Sequence, residues 1–112
     1  MTHILMIAAE NGALPGGKIG GIGDVVRDVP LALAKLGCTV SVLTPGYGKF
    51  AALPGAQLKQ LLTINFGGKP QTVELFHLSQ TGNHENVQHY VIEHPLFSVC
   101  GVGKIYCDDP PD

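Results

Sequence analysis

The chain has 112 residues, of which 45% are apolar and 14% are charged, and its formal net charge is −2. This size allows one domain at most, and the composition is typical of a packed domain and not of a disordered segment. The slightly negative charge, without a run of basic residues, argues against nucleic acid as a partner. Apolar stretches stay about as long as a strand, well short of the roughly 20 residues of a membrane span, so no membrane partner is expected.

The cysteines and the two ends of the chain bear on location and completeness. Cys38, Cys100 and Cys107 lack the spacing of a metal site, and the first residues lack the pattern of a signal peptide. We therefore expect free thiols in a cytoplasmic protein. The closing Asp-Asp-Pro-Pro-Asp is a polar loop without a final helix or strand, which predicts a single partial domain over residues 1–112 that is cut off at its C-terminus.

The first half of the chain predicts a strand, a helix and a strand. Residues 3–9 form an apolar run typical of a strand buried on both faces, and residues 38–43 form a second one. Between them, residues 22–36 repeat apolar side chains every three or four positions, which predicts a helix with one core-facing stripe. Pro30 interrupts this helix, and we expect one kinked helix or two short helical pieces. The stripe consists of Ile22, Val25, Val26, Val29, Leu33 and Leu36.

The second half predicts short strands joined by turns. Gly67-Gly68-Lys69-Pro70 separates two strand-like runs at residues 58–66 and 71–78, and a third run covers residues 87–92. Residues 94–112 are rich in glycine and proline and are predicted to be an extended loop. The fold class is therefore α/β, with a parallel core sheet and an antiparallel or mixed hairpin extension.

A glycine-rich loop joins the first strand to the helix. It carries Lys18, and Gly20 and Gly21 stand where the helix begins. Backbone N–H groups, a cation and a helix N-terminus together favour a bound anion, most often a phosphate group. Asp24 lies in the first helical turn, where a negative charge is favourable. The alternative is that Lys18 is a solvated lysine and Asp24 an ordinary helix-start residue.

Two common phosphate-binding motifs fail at single positions. The run from Gly12 to Lys18 approaches the phosphate-loop pattern, but Ile19 stands where a hydroxyl must ligate magnesium. The dinucleotide pattern that starts at Gly21 breaks at Val26, and the second strand does not end in the carboxylate that holds a ribose. An ATPase and an NAD-binding domain are both disfavoured.

The five histidines do not predict a metal site. His84 and His89 are one residue too far apart for the H-E-x-x-H motif, and on a helix their imidazoles would point about 140° apart. Histidines at the surface are the simpler interpretation, and no cofactor is expected.

Four segments together resemble the N-terminus of bacterial glycogen synthases and plant starch synthases. They are Ala9-Glu10, Lys18-x-Gly20-Gly21-Ile22-x-Asp24-Val25, Pro30-x-Ala32-Leu33-Ala34-x-Leu36-Gly37 and Val40-x-Val42-Leu43-x-Pro45-Gly46-Tyr47. The family's K-x-G-G signature is present, and its downstream His-Pro pair is matched by His94-Pro95. The closing Tyr106-x-Asp108 resembles the family's loop before its next helix. The loop before Lys18 is about two residues longer than the common pattern, and Ile19 replaces a small or hydroxyl residue.

The resemblance implies the N-terminal, Rossmann-like lobe of a GT-B glycosyltransferase. Such enzymes transfer glucose from ADP-glucose, or UDP-glucose, to the non-reducing end of an α-1,4-glucan with retention. Lys18 would then be the cation of the donor site, with Gly20, Gly21 and Asp24 beside it. Glu10 and Tyr106 are weaker candidates for the wall of the cleft. No catalytic residue is expected in these 112 residues, which would be inactive without the C-terminal lobe.

A different class of function remains open at this point. A stand-alone, non-catalytic α/β module could bind a nucleotide, a glucan or a partner chain. The sequence separates the two hypotheses only through its polar C-terminus, because a small natural domain more often closes with a docked element.

Overall fold

One mixed sheet of five strands organises the molecule. A computed structural model describes residues 2–79, 81 and 84–100, with side chains as far as residue 98. Within them the elements are β1 (His3–Ile7), α1 (Gly21–Lys35), β2 (Thr39–Pro45), a 3₁₀ turn (Phe50–Ala52), β3 (Ala56–Phe66), β4 (Lys69–Leu78), β5 (Val87–Glu93) and α2 (Pro95–Cys100).

The strand order β1-β2-β5-β4-β3 divides the sheet into a parallel and an antiparallel part. β1, β2 and β5 are parallel, with Met6 opposite Val42 and Val42 opposite His89. β4 runs antiparallel to both β5 and β3. The predicted α/β class, with a parallel core and a hairpin extension, is confirmed. β5 belongs to both parts, since it pairs with β2 on one side and β4 on the other.

The hairpin between β3 and β4 turns over two glycines. Gly67 and Gly68 have φ values of 64° and 77°, and Phe66 pairs directly with Lys69. Two consecutive positive φ angles define the tight turn whose twist matches that of paired strands, and glycine adopts them without strain. The predicted turn is confirmed. β3 begins at Ala56, before its apolar run, and β4 begins at Lys69, inside the segment predicted to be the turn.

α1 covers one face of the parallel core. Val26 and Ala34 of the helix pack with Val40 and Val42 of β2 and Val87 of β5, all at most 5% exposed. A second apolar cluster lies near the carboxyl ends of the strands and consists of Leu14, Phe50, Leu78 and Val91. The loop that carries Lys18 is therefore anchored to the core through Leu14.

The predicted helix is present, and of the predicted stripe Val26 is buried and Leu33 packs against the core, but the other four positions are wrong. Ile22 and Val25 are 53% and 52% exposed, and Val29 and Leu36 are exposed as well. The fully buried positions of the helix are Gly23, Val26, Pro30 and Ala34, and Leu31 and Leu33 pack, partly buried, against the same core. Pro30 stands within one continuous helix, and a kink there stays a prediction.

Two further expectations are corrected. β1 is an edge strand with one open face, on which Leu5 is 59% and Ile7 70% exposed, so it is not buried on both sides. Residues 95–100 form the short helix α2 inside the segment expected to be a loop. In the part of the chain that the structure describes, no helix is both long and apolar enough to cross a membrane.

Candidate functional site

The carboxyl ends of the three parallel strands meet at one edge of the sheet. β1 leads into the loop of residues 10–20, β2 is followed by the turn of residues 46–48, and β5 ends at Glu93 and is followed by His94. Ligands of open α/β sheets bind at this edge, where loops from neighbouring strands converge. The lysine-glycine loop thus lies at the place that the fold offers for a ligand.

A buried carboxylate holds the turn at the start of α1. Glu10 is 1% exposed, and its Oε1 accepts hydrogen bonds from the backbone N–H groups of Ile19, Gly20 and Gly23 at 3.3, 2.8 and 2.6 Å. The first N–H groups of a helix have no partner within the helix, and a negative charge there is further favoured by the helix dipole. The chain thus supplies its own anion at this helix N-terminus.

This arrangement changes the expected role of the loop amides. We expected the amides around Gly20 to be free for a phosphate group, but the Gly20 and Gly23 N–H groups already donate to Glu10. Glu10 itself was expected on the wall of a cleft, whereas its side chain lies beneath the turn. A sequence pattern does not reveal the contact between Glu10 and these amides, because the contact forms only when the loop folds back over Glu10.

Lys18 lies above the turn and is paired with Asp24. Its Nζ is 3.0 Å from Oδ2 of Asp24, and both side chains are partly exposed, at 51% and 39%. Arg27 contacts the other oxygen of Asp24 at 3.2 Å and also forms two hydrogen bonds with Asp28. Asp24 therefore gathers two cations at the N-terminal end of α1. The sequence interpretation missed Arg27, although its i, i+3 spacing from Asp24 on a predicted helix was a usable signal.

The glycines of the loop fall into two groups. A methyl group added to Gly23 would lie 2.7 Å from Oε1 of Glu10, and one added to Gly17 would lie 2.3 Å from the carbonyl oxygen of Asn11. These two residues must be glycine for the loop to close. By contrast, a methyl group on Gly20 or Gly21 would meet no non-neighbouring heavy atom of the described residues within 4 Å. Internal packing therefore does not explain glycine at positions 20 and 21.

A buried polar pair supports the loop from below. Nδ2 of Asn11 lies 2.9 Å from Nδ1 of His89, and the two residues are 1% and 2% exposed. Burial lowers the pKa of His89 to about 4. The expectation that the histidines lie at the surface is wrong for His89. The signal was available, because residues 87, 89 and 91 of a strand share one face and the other two are valines.

Glu93 and Tyr47 close the far side of this edge. Tyr47 donates its hydroxyl to the carbonyl oxygen of Ala9, and Glu93 accepts a hydrogen bond from the Gly48 N–H at 3.0 Å. Burial raises the pKa of Glu93; the Gly48 hydrogen bond opposes this shift, and the nearby charge of Glu74 adds to it. With Glu74 and His94, Glu93 lines a shallow polar cavity of about 280 Å³ beside the turn of residues 46–48.

The structure brings most of the predicted site residues together. Lys18, Gly20, Gly21 and Asp24 surround the turn at the start of α1, and Glu10 lies directly beneath it. Tyr106 lies outside the described residues. Among residues 2–79, 81 and 84–100, no group of three or more histidine, cysteine, aspartate or glutamate side chains is arranged to hold a metal ion.

Comparison with known proteins identifies the family of this chain. The model of the starch synthase catalytic domain matches residues 3–112. The chain belongs to the starch synthase catalytic domain family. Among curated members, the glycogen synthase of Gloeobacter violaceus is 34% identical over 95 residues, which are 85% of this chain. Granule-bound starch synthase 1 of Arabidopsis thaliana is 33% identical over 101 residues, or 90% of this chain.

A solved member of the starch synthase family shares the fold. The catalytic domain of starch synthase IV from Arabidopsis thaliana, a structure bound to ADP and acarbose, matches 96% of this chain with a TM-score of 0.70 and 26% identity. The chain covers only 22% of that domain. It likewise spans 19% of the Gloeobacter glycogen synthase and 15% of the Arabidopsis granule-bound enzyme.

Proposed function

We propose that these residues form the donor side of the active site of a glycogen or starch synthase. The enzyme would transfer glucose from ADP-glucose to the non-reducing end of an α-1,4-glucan, with retention at the anomeric carbon. In this proposal the diphosphate of the donor lies against the open side of Gly20 and Gly21, beside Lys18. Membership of the starch synthase catalytic domain family supports the reaction type.

The open face of the two glycines is the observation that carries the proposal. Gly20 and Gly21 are not required by internal contacts, and neither has a positive φ angle. A glycine that packing does not demand has value where another molecule approaches the backbone closely. Lys18 borders the same turn, and its partly exposed ion pair with Asp24 leaves it able to exchange one anionic partner for another.

Adenine as the donor base is supported by the solved relative. The starch synthase IV structure holds ADP, and the match to it covers 96% of this chain. UDP-glucose is the competing donor, and the two differ only in the base. The experiment below therefore includes both.

The chemistry requires more than one cation. Breaking the bond between glucose and the diphosphate develops negative charge on the leaving group, which preorganised positive groups must stabilise in a site that excludes water. Lys18 supplies one such charge. Because the curated relatives are more than four times as long as this chain, we propose that transfer needs a second lobe and that these 112 residues alone do not perform it.

Glucose transfer by the protein that carries these residues tests the proposal. Labelled ADP-glucose or UDP-glucose is incubated with glycogen, and the label in the polymer is counted for the wild type, Lys18→Ala and Lys35→Ala. Lys35 is an exposed lysine in the last turn of the same helix and serves as the matched control. We expect ADP-glucose to be preferred and Lys18→Ala to lose at least 100-fold in rate, about 2.7 kcal/mol of barrier.

Two outcomes would contradict this function. Undiminished transfer by Lys18→Ala would remove the lysine from the donor site. Binding of ADP without transfer to any glucan by the longest natural form of the protein would instead favour the non-catalytic module. A preference for UDP-glucose would overturn the choice of donor but leave the site in place.

A further inference from the structure

The loop that presents Lys18 is tied to the centre of the sheet by one side-chain contact. His89 lies in β5, the middle strand of the five, opposite Val42 of β2. Its Nδ1 is 2.9 Å from Nδ2 of Asn11, the fourth residue after the end of β1. The two residues are 78 positions apart in sequence, so the contact joins the loop to a rigid part of the fold.

Asn11 also forms hydrogen bonds with other residues of the loop. Its Oδ1 accepts from the Ala13 N–H at 2.9 Å, and its backbone N–H donates to the Gly17 carbonyl at 3.0 Å. The Leu14 N–H donates to the backbone carbonyl oxygen of Asn11 at 3.1 Å. The ends of the loop before Lys18 are thereby closed on each other around Asn11, in a hydrogen-bonded turn that side-chain amides commonly stabilise.

The direction of the Asn11–His89 hydrogen bond follows from these partners. Because Oδ1 of Asn11 accepts from a backbone N–H, the side-chain amide nitrogen faces His89 and can only donate. Nδ1 of His89 must therefore carry a lone pair, with the ring proton on Nε2. The neutral ring fits its environment, since burial lowers the pKa of His89 to about 4.

We propose that His89 and Asn11 are positioning residues for the donor site. Their hydrogen bond fixes how close the loop lies to the sheet. At this distance Glu10 reaches the amides of the glycine turn, and Lys18 borders the open side of that turn. Neither residue contacts the donor, since both side chains are almost fully buried. This inference rests on the proposed function for its effect on donor binding, but its effect on the loop is independent of it.

Substitution at position 89 separates positioning from general stability. His89→Leu removes the acceptor at similar volume, whereas His89→Asn places a carbonyl oxygen at about the position of Nδ1 and should restore the bond. Val40→Ala is the matched control, because Val40 is fully buried in the same face of the sheet but packs beneath the middle of α1. It loses core packing without touching the loop.

Two readouts are measured on the protein that carries these residues. The first is the dissociation constant of ADP from calorimetric titration. The second is the hydrogen-exchange protection of the Ile19, Gly20 and Gly23 amides, which donate to Glu10. For His89→Leu we expect ADP to bind about tenfold more weakly and these amides to exchange at least tenfold faster. His89→Asn should recover most of both, and Val40→Ala should leave both within threefold of the wild type.

The two readouts fail in different ways. Unchanged amide protection in His89→Leu would overturn the positioning role, as would an equal loss in Val40→Ala. If the wild type does not bind ADP at all, the proposed function fails, while the exchange data still decide the positioning role. Should His89→Leu not fold, Asn11→Ala removes the same bond from the other side, and normal amide protection in that variant would overturn the inference.

Discussion

The backbone N–H of Gly23 donates to Oε1 of Glu10 at 2.6 Å, deep beneath the turn that begins α1. Through this contact Glu10, three residues after the end of β1, caps the helix that follows the loop. The loop between them is therefore closed by the chain itself, and Lys18, Gly20 and Gly21 are left on its outer side. This internal anion is the feature that gives the turn at the proposed donor site its shape.

Substitution of Glu10 should lower stability in two steps. Glu10→Gln keeps an acceptor oxygen but removes the charge at the helix N-terminus, and we expect a loss of about 1 kcal/mol in the free energy of unfolding. Glu10→Ala leaves several N–H groups without their acceptor, and we expect a loss of about 3 kcal/mol. Urea unfolding measures both, with the exposed Glu85→Gln as the control. Equal stability of wild type and Glu10→Gln would show that the charge contributes nothing.

The glycines of the turn should differ in their tolerance of a methyl group. Gly23→Ala places the new Cβ 2.7 Å from Oε1 of Glu10 and 3.0 Å from Cγ of Lys18. We expect a loss of about 1–3 kcal/mol from overpacking, in spite of the better helix propensity of alanine. Gly21→Ala points into open space, and because alanine is the better helix former it should cost nothing in urea unfolding or stabilise by a few tenths of a kcal/mol. Equal costs for the two variants would contradict the division between them.

The stability of the chain should depend on the protonation of His89. Its pKa falls from 6.5 in the unfolded state to about 4 in the fold, so the unfolded state binds more protons between these values. The stabilisation is complete above about pH 6.5 and declines as the pH falls toward 4, by about 3 kcal/mol in total. The difference between wild type and His89→Asn isolates this effect from Glu93, whose raised pKa gives a slope of the opposite sign. Parallel pH profiles for the two proteins would contradict it.

The strands and their arrangement were largely predictable from the sequence. Apolar runs of strand length around a helical repeat specify a parallel pair, and two glycines between two further runs specify a hairpin. The phase of α1 was not predictable in the same way. Apolar residues occupy most of its circumference, so the period locates a helix but does not decide whether Val25 or Val26 faces the sheet. The packing of the helix against β2 and β5 decided it, with Gly23, Val26 and Ala34 on the buried side.

The position of the turn was predictable from the sequence, and its contacts were not. The pattern around Lys18 located the turn, and the donor nucleotide that the family resemblance implies there stays a prediction. Glu10 beneath the amides and Asn11 on His89 are contacts between residues distant in sequence or folded back on a loop, which a local pattern does not contain. The alternation of Val87, His89 and Val91 did indicate that His89 is buried, but not what it binds.

The binding of ADP to a variant with a side chain on the open face of the turn tests the central claim most directly. Calorimetry compares the wild type with Gly21→Val, and with Ala32→Val at an exposed position of the same helix as the control. If the diphosphate lies against this turn, Gly21→Val should bind ADP at least tenfold more weakly, while Ala32→Val should match the wild type. Equal affinity of Gly21→Val and the wild type would place the donor elsewhere.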